Sequence, residues 1–258
     1  MSCRHLTLVA LLFAGFAQAG TVMEMVNRDL GGQQKETVMT TYAQDGKLRI
    51  EAGDREGFSL FKDDALYVVN DRDRNYVVMD RAALKKMADA ISPVMKMLAQ
   101  MPPEQRAQME KMMGQSASSA LGGGAKQEVR KTSRTGSAAG HGCSYVEIVK
   151  GGAVEDELCI VAPATLKGGD ELMAAAQKMS AMLQDAFKDL DAPQLRQMID
   201  EQTALYGKVG GIPVLSRHYA NGKPVSESTL RSSRSEALPA TTFDVPAGYA
   251  RREFMPAR

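Results

Sequence analysis

Tryptophan is absent from the chain, and aromatic residues of all kinds make up only 5% of it. An interior built mainly on rings is therefore not expected. With 17 methionines in the sequence, whatever core or cavity forms is lined by flexible thioether and aliphatic side chains. An excess of charge of either sign is missing as well. There are 32 Lys and Arg against 31 Asp and Glu, and loss of Arg4 with an amino-terminal leader would leave the two signs equal. Nothing here draws the chain electrostatically to nucleic acid or to an anionic membrane.

The motifs of the common catalytic and cofactor sites are missing too. The chain has no G-x-S-x-G, no H-E-x-x-H, no glycine loop followed by Lys-Ser or Lys-Thr, and no calcium-loop spacing of carboxylates. Beyond the leader the histidines are His141, in the glycine-rich approach 138–142, and His218, on a strand beside Tyr219. Hydrolase chemistry needs a positioned nucleophile, a base and an oxyanion site, and no motif supplies them. The expectation is a protein that is not an enzyme and carries no cofactor.

Residues 1–19 have the pattern of a secretory signal peptide: Arg4, the apolar run from Leu6 to Phe16, then Ala17-Gln18-Ala19 before Gly20. The apolar run is shorter than the roughly 20 residues a membrane span needs. No other run approaches that length, so no transmembrane anchor is expected, and the mature chain is expected in the periplasm or outside the cell. Cys3 leaves with the leader. In an oxidising compartment Cys143 and Cys159 are expected to pair as a structural disulfide, since the C-x-x-C spacing of redox pairs is absent.

Both cysteines lie in 142–162, GCSYVEIVKGGAVEDELCIVA, where two alternating runs flank Gly151-Gly152. That pattern specifies a β-hairpin. A three-residue loop, Lys150 to Gly152, would set Val149 against Ala153 and Cys143 directly against Cys159. Val146, Ile148, Val154, Leu158 and Ile160 would share the other face, interrupted by Asp156.

Around this hairpin the chain alternates between strands and helices. Residues 21–80 are strand and turn, with Asp45-Gly46 as a hairpin signal and strands at Phe58–Lys62, Ala65–Asn70 and Asn75–Asp80. Over 82–114 the period becomes helical. Leu84, Met87, Ile91, Val94, Met95, Leu98 and Met101 recur at three and four residues, opposite Lys85, Lys86, Asp89 and Lys96. A short helix with Met109, Met112 and Met113 follows, and 115–126 reads as a flexible Gly/Ser/Ala linker. Strands resume at Gln127.

A second helical insertion spans 165–207. Asp170 is its candidate N-cap, and its apolar face includes Leu172, Met173, Met179, Met182, Leu183 and Phe187; a further helix carries Leu195, Met198, Ile199 and Leu205. The strands Ile212–Ala220 and Lys223–Ala237, joined at Asn221-Gly222, complete the pattern. An antiparallel sheet buries one face on something, and these insertions are the available cover. The expected architecture is α+β: one domain over 20–258, a curved antiparallel sheet whose concave face is covered by the two helical insertions.

This order of elements, with the stretch around Cys143, G-x-P-V at Gly211 to Val214 and F-x-V-P-x-G-Y at Phe243 to Tyr249, resembles a family of uncharacterised secreted bacterial proteins. That family is related in fold to the LolA/LolB lipoprotein carriers and the RseB-type envelope-stress sensors. The resemblance implies an unclosed β half-barrel, LolA-like, whose concave face is an apolar cavity for acyl chains in the carriers. No lid or gate residue of a carrier maps onto this chain, and its Met-rich insertion has no counterpart there.

Three expectations of function follow. The first is a binding protein holding an apolar ligand, a lipid or lipoprotein acyl chain, on a face lined by Met87, Ile91, Met95, Leu98, Met101, Met173, Met179, Met182, Leu183 and Phe187. The second is an envelope interaction or stress-sensing module whose Met-rich helices dock another envelope protein. The third is Cu(I) binding by the thioethers of Met95, Met97, Met101, Met109, Met112 and Met113. The helical spacing of Met95 and Met101 favours packing over that use, and no metal site is assigned.

Overall fold

The computed structural model describes residues 19–32, 36–53, 56–102, 104–105, 126–188 and 193–253, with backbone alone at 94, 95, 98, 99, 193–195 and 198. The signal-peptide reading, the short Met109 helix and the linker 115–125 lie outside the described residues. The strands are β1 (Gly20–Asp29), β2 (Glu36–Gln44), β3 (Lys47–Glu51), β4 (Gly57–Lys62), β5 (Ala65–Asn70) and β6 (Asn75–Met79), then β7 (Gln127–Ala138), β8 (His141–Lys150), β9 (Ala153–Val161), β10 (Ile212–Ala220), β11 (Lys223–Glu236) and β12 (Ala250–Arg252). The helices are α1 (Arg81–Gln100), α2 (Gly169–Phe187) and α3 (Pro193–Val209).

All 12 strands join one open, curved sheet in the order β12-β6-β5-β4-β3-β2-β1-β11-β10-β9-β8-β7. Every pairing is antiparallel except that of β12 with β6. The architecture is therefore α+β with a half-barrel-like sheet.

Side-chain alternation gives the sheet two unlike faces. Across β2 to β6 the in-register row Ala43, Leu48, Phe61, Leu66 and Met79 points to one side. There it meets Ala175, Ala176, Met179 and Met182 of α2. This helix-bearing side is the inner face. At the other end of the sheet Ile148 and Leu158 meet Leu205 and Val209 of α3. Helix α1 packs on α2 through Leu84, Ala88, Ala186 and Phe187 and reaches β6.

The outer face of β3 to β6 is covered by the chain's own end. Phe243, with Leu238, Val245 and Tyr249, packs on Phe58, Leu60 and Val69. Arg49 donates to the Thr242 carbonyl at 2.9 Å, Lys62 reaches Asp244 at 3.1 Å, and the Tyr249 hydroxyl donates to Asp71 at 2.9 Å. This strap uses the F-x-V-P-x-G-Y residues.

Two helix starts are set by local chemistry. Asp80 caps α1, its carboxylate accepting the Ala83 N–H at 2.8 Å. The N-cap of α2 is Gly168, not Asp170, which sits with Glu171 in the first turn, where a carboxylate complements the helix dipole. Gly168 has φ of 76°, and a Cβ there would stand 1.9 Å from Thr21 Oγ1. The Thr21 hydroxyl donates to the Gly168 carbonyl at 3.0 Å, which fastens the start of α2 over β1.

The disulfide hairpin differs in register from the expectation. Its loop is the two-residue turn Gly151-Gly152, with φ of 59° and 83°, the left-handed pair a type I′ turn requires. A bulge then adds Glu155 to β9, so Ile148 faces Asp156 and Cys159 faces Tyr145. Beyond the bulge the net slip is two residues, an even number, so Asp156, Leu158 and Ile160 keep the expected face, whereas Val154, between the turn and the bulge, pairs with Val149 and falls on the opposite face from Val146 and Ile148. Cys143 and Cys159 stand diagonally across the strands with Cα atoms 5.4 Å apart, a disulfide distance.

Candidate functional site

The helices cover only part of the inner face. One step along the strands from the row beneath α2, the next inner row is Thr41, Ile50, Ser59, Val68 and Val77. Thr41 is buried, but Ile50 and Val77 are only half-buried, Ser59 is exposed, and Val68, in mid-strand, is 46% exposed. From β2 to β6 this band spans four strand spacings, about 19 Å. It is flanked by Met25 and Met39, which face each other across β1 and β2.

The residues singled out from the sequence fall into distinct settings. Met179, Met182, Leu183 and Phe187 pack α2 against the sheet and against α1, and Met173 packs on the core near Met23 and Met25. Met87 joins Phe187 between α1 and α2, while Ile91 and Met101 are half-buried further along. The side chains of Met95 and Leu98 lie outside the described residues, as do Met109, Met112 and Met113. The thioether stripe on α2 thus makes contacts with the sheet, and the exposed apolar residues of the inner face lie on the strands beside it.

Sequence reasoning missed Ile50, Val68 and Val77. Their alternation marks them as strand residues with an apolar face, but alternation does not tell which stretch of that face a helix covers.

It missed the ionic row of the outer face for a different reason. Register places Glu36, Arg28, Glu227, Arg217, Glu157, Glu147 and Arg130 side by side on β2, β1, β11, β10, β9, β8 and β7. Arg28 meets Glu36 at 2.7 Å, Arg217 meets Glu227 at 2.8 Å and Glu157 at 3.5 Å, and Arg130 meets Glu147 at 2.8 Å. Glu147 and Glu157 face each other directly, and Arg134, from the bulged part of β7, bridges them at 3.0 and 2.6 Å. Hydrogen bonds to these carboxylates, Glu227 for Arg217 and Glu157 for Arg134, raise the pKa of both guanidinium groups.

Two other features have weaker claims as sites. A cleft of about 440 Å³ lies between α2 and α3 over Phe187 and Ile199. Two of its charged groups are paired: Asp185 meets Lys188, and also Arg81, which lowers its pKa, the Lys188 hydrogen bond first. Arg196 donates to the Lys188 carbonyl at 3.1 Å. On the inner face His218 Nδ1 lies 2.8 Å from Asp156, in register with Ser226 on β11. No hydrogen bond from Ser226 completes a relay among the described residues. Nor do three His, Cys, Asp or Glu side chains gather there as a metal site. No described helix is long and apolar enough to cross a membrane.

No protein-family model and no curated protein matches this sequence. Among solved structures, an uncharacterized conserved protein from Thermus thermophilus is similar over 92% of this chain and 91% of its own, at 8% identity and a TM-score of 0.43. A structure of PNGF-II is similar over 91% of this chain, at 11% identity and a TM-score of 0.40; the matched region is 31% of that longer chain.

Proposed function

We propose that this chain is a non-enzymatic binding protein of the periplasm or the secreted space, a LolA-like half-barrel that lays a lipid or lipoprotein acyl chain along its inner face. The observation that carries this reading is the band Ile50, Ser59, Val68 and Val77. It is a mainly apolar stretch, interrupted by Ser59, on the helix-bearing side of the sheet, where Val68 is 46% exposed instead of packed. The half-buried Ile50 and Val77 extend this surface to either side of Val68, and a joined apolar area that a helix leaves uncovered is where an apolar ligand can lie. Met25 and Met39 at its flank supply adaptable side chains. A docking surface for another envelope protein is the second reading, favoured by Tyr206 on α3 and Met97 on α1, which are 70% and 54% exposed.

The test is native mass spectrometry of the protein purified from the periplasm with its leader intact at expression, followed by solvent extraction. A bound amphiphile mass is expected, and Val68→Asp should lose it, together with uptake of a fluorescent fatty-acid probe, while keeping its Tm. A bare protein mass and no probe uptake would overturn the reading and leave the docking alternative.

A further inference from the structure

On four neighbouring strands the inner face changes character at the same point. On β2, β1, β11 and β10, Met39, Met25, Leu230 and Val214 are followed two residues along by Thr37, Asn27, Ser228 and Ser216. These four polar residues stand in one register row: Thr37 against Asn27, Asn27 against Ser228, and Ser228 against Ser216. The row runs on through Leu158, which packs with Leu205 and Val209 of α3, and Val146, on the same face. All four polar side chains are half-buried, and none makes a side-chain hydrogen bond among the described residues. The residues next to them in sequence, Glu36, Arg28, Glu227 and Arg217, point to the outer face and are paired.

We propose that this row receives the head of an amphiphile whose chain lies on the apolar band, and that the head is uncharged and bears hydroxyls, as in a monoacylglycerol or a glycolipid. The inference rests on the binding reading above and adds the class of ligand. Hydroxyl and amide side chains both donate and accept, which is what sugar or glycerol hydroxyls require of a partner. A phosphate or free carboxylate would find no counter-charge. In this register row the inner-face cation is Lys131, opposite Val146 on edge strand β7. It lies three strand spacings from Ser216, about 14 Å, which is beyond the screening length of about 8 Å in physiological salt.

The formal charges one step further along the strands are acidic or already paired. Asp29 accepts the Gly31 N–H at 2.8 Å, and Asp156 is held by His218 at 2.8 Å. A quaternary ammonium head would want an aromatic cage, and the row holds no ring.

The experiment uses four ligands with the same acyl chain: monoolein, oleate, oleoyl lysophosphatidylglycerol and oleoyl lysophosphatidylcholine. Each is titrated into the delipidated full-length mature chain by displacement of a fluorescent acyl probe. Monoolein should bind at least about tenfold tighter than the other three, the worth of one or two ordinary hydrogen bonds. Asn27→Leu combined with Ser228→Val should bring the ratio close to one while the acyl probe still binds. Should that pair not fold, Ser216→Ala, a smaller change, should cut the preference severalfold. Equal or tighter binding of the charged heads, or a preference that survives these substitutions, overturns the assignment of the head and leaves the chain-binding reading standing. Failure of all four amphiphiles and of the probe on folded protein overturns both.

Discussion

Arg217 stands between two carboxylates from different strands, 2.8 Å from Glu227 on β11 and 3.5 Å from Glu157 on β9. It is the hinge of the ionic row, because Glu157 also faces Glu147 directly, and like charges placed opposite one another in a sheet repel. Arg217→Ala should therefore lower Tm by a few degrees in low salt. Glu157→Gln in the same background should recover part of the loss. Because the row is partly solvated, both effects should shrink at high salt. Melting curves of the two single variants and the double variant at two ionic strengths check this; additive losses would show that the side chains are not coupled.

Reduction of the Cys143–Cys159 pair, which closes a loop of 16 residues, should cost about 3 kcal/mol in the chain-entropy model. The Cys143→Ser, Cys159→Ser double variant should show the same loss of unfolding free energy in urea, with a slope no smaller than that of the native protein, since the unfolded chain is released. The mass of the native protein should rise by two hydrogens on reduction.

Gly168→Ala should be markedly destabilising. The left-handed φ alone costs about 1–2 kcal/mol for a residue with a Cβ, and the new atom also collides with Thr21. Thr21→Ser keeps the hydroxyl and removes the methyl group that also crowds Gly168. Combined with Gly168→Ala it should recover part of the loss, which denaturant titration of the two variants measures.

Two tyrosines give the alkaline limb of stability its sign. Burial, then the Glu51 carboxylate, raise the Tyr42 pKa above 10.0, and the hydrogen bond to Asp71, then burial, raise that of Tyr249. A raised folded-state pKa means the neutral phenol is favoured in the fold. The contribution is complete below the unfolded value, near pH 10, and is lost as pH climbs through the folded values. Spectroscopic titration of tyrosinate should show two late-ionising groups, and Tyr42→Phe with Tyr249→Phe should remove them and flatten the loss of stability above pH 10.

Phe243→Ala should open the strap. The ring is buried at 6% exposure against Phe58, Leu60 and Val69, and removal of a buried Phe costs about 3–5 kcal/mol. Hydrogen exchange should rise first in β12 and along the free side of β6, which a merely local cavity would not produce.

What the sequence made legible is local chemistry. Asp45-Gly46, Gly151-Gly152 and Asn221-Gly222 mark their turns because a left-handed pair needs those residues. The helices announce themselves by period and are stopped by nearby signals. Quantities that depend on pairing were not legible. The bulge at Glu155 exists only in relation to β8, so the direct Cys143–Cys159 opposition inferred from loop length missed the two-residue offset that the shorter turn and the bulge together produce. The ionic row joins Arg28 to Glu227 across strands far apart in sequence, and no window of the chain contains it. The site suffered from the same limit. Periodicity showed that Met179 and Met182 face inward and that Val68 and Val77 are strand residues. Only the placement of α2 determines that the first pair packs while Val68 is left exposed and Val77 half-buried.

The position of β1 gives this molecule an order of assembly. It lies between β2 and β11, so the sheet is two antiparallel runs, β1 to β6 and β7 to β11, sewn along one seam where Gly20 meets Glu236. The first run is made of near neighbours and can form early, the second must also bring β10 back to β9 past α2 and α3, and the seam carries the largest loop-closure cost in the sheet. Until β11 is in place, β1 and β11 are bare edges, with Met23, Met25 and Leu230 beside them. For as long as β11 is unpaired, a second copy offers β1 the same margin as the correct partner.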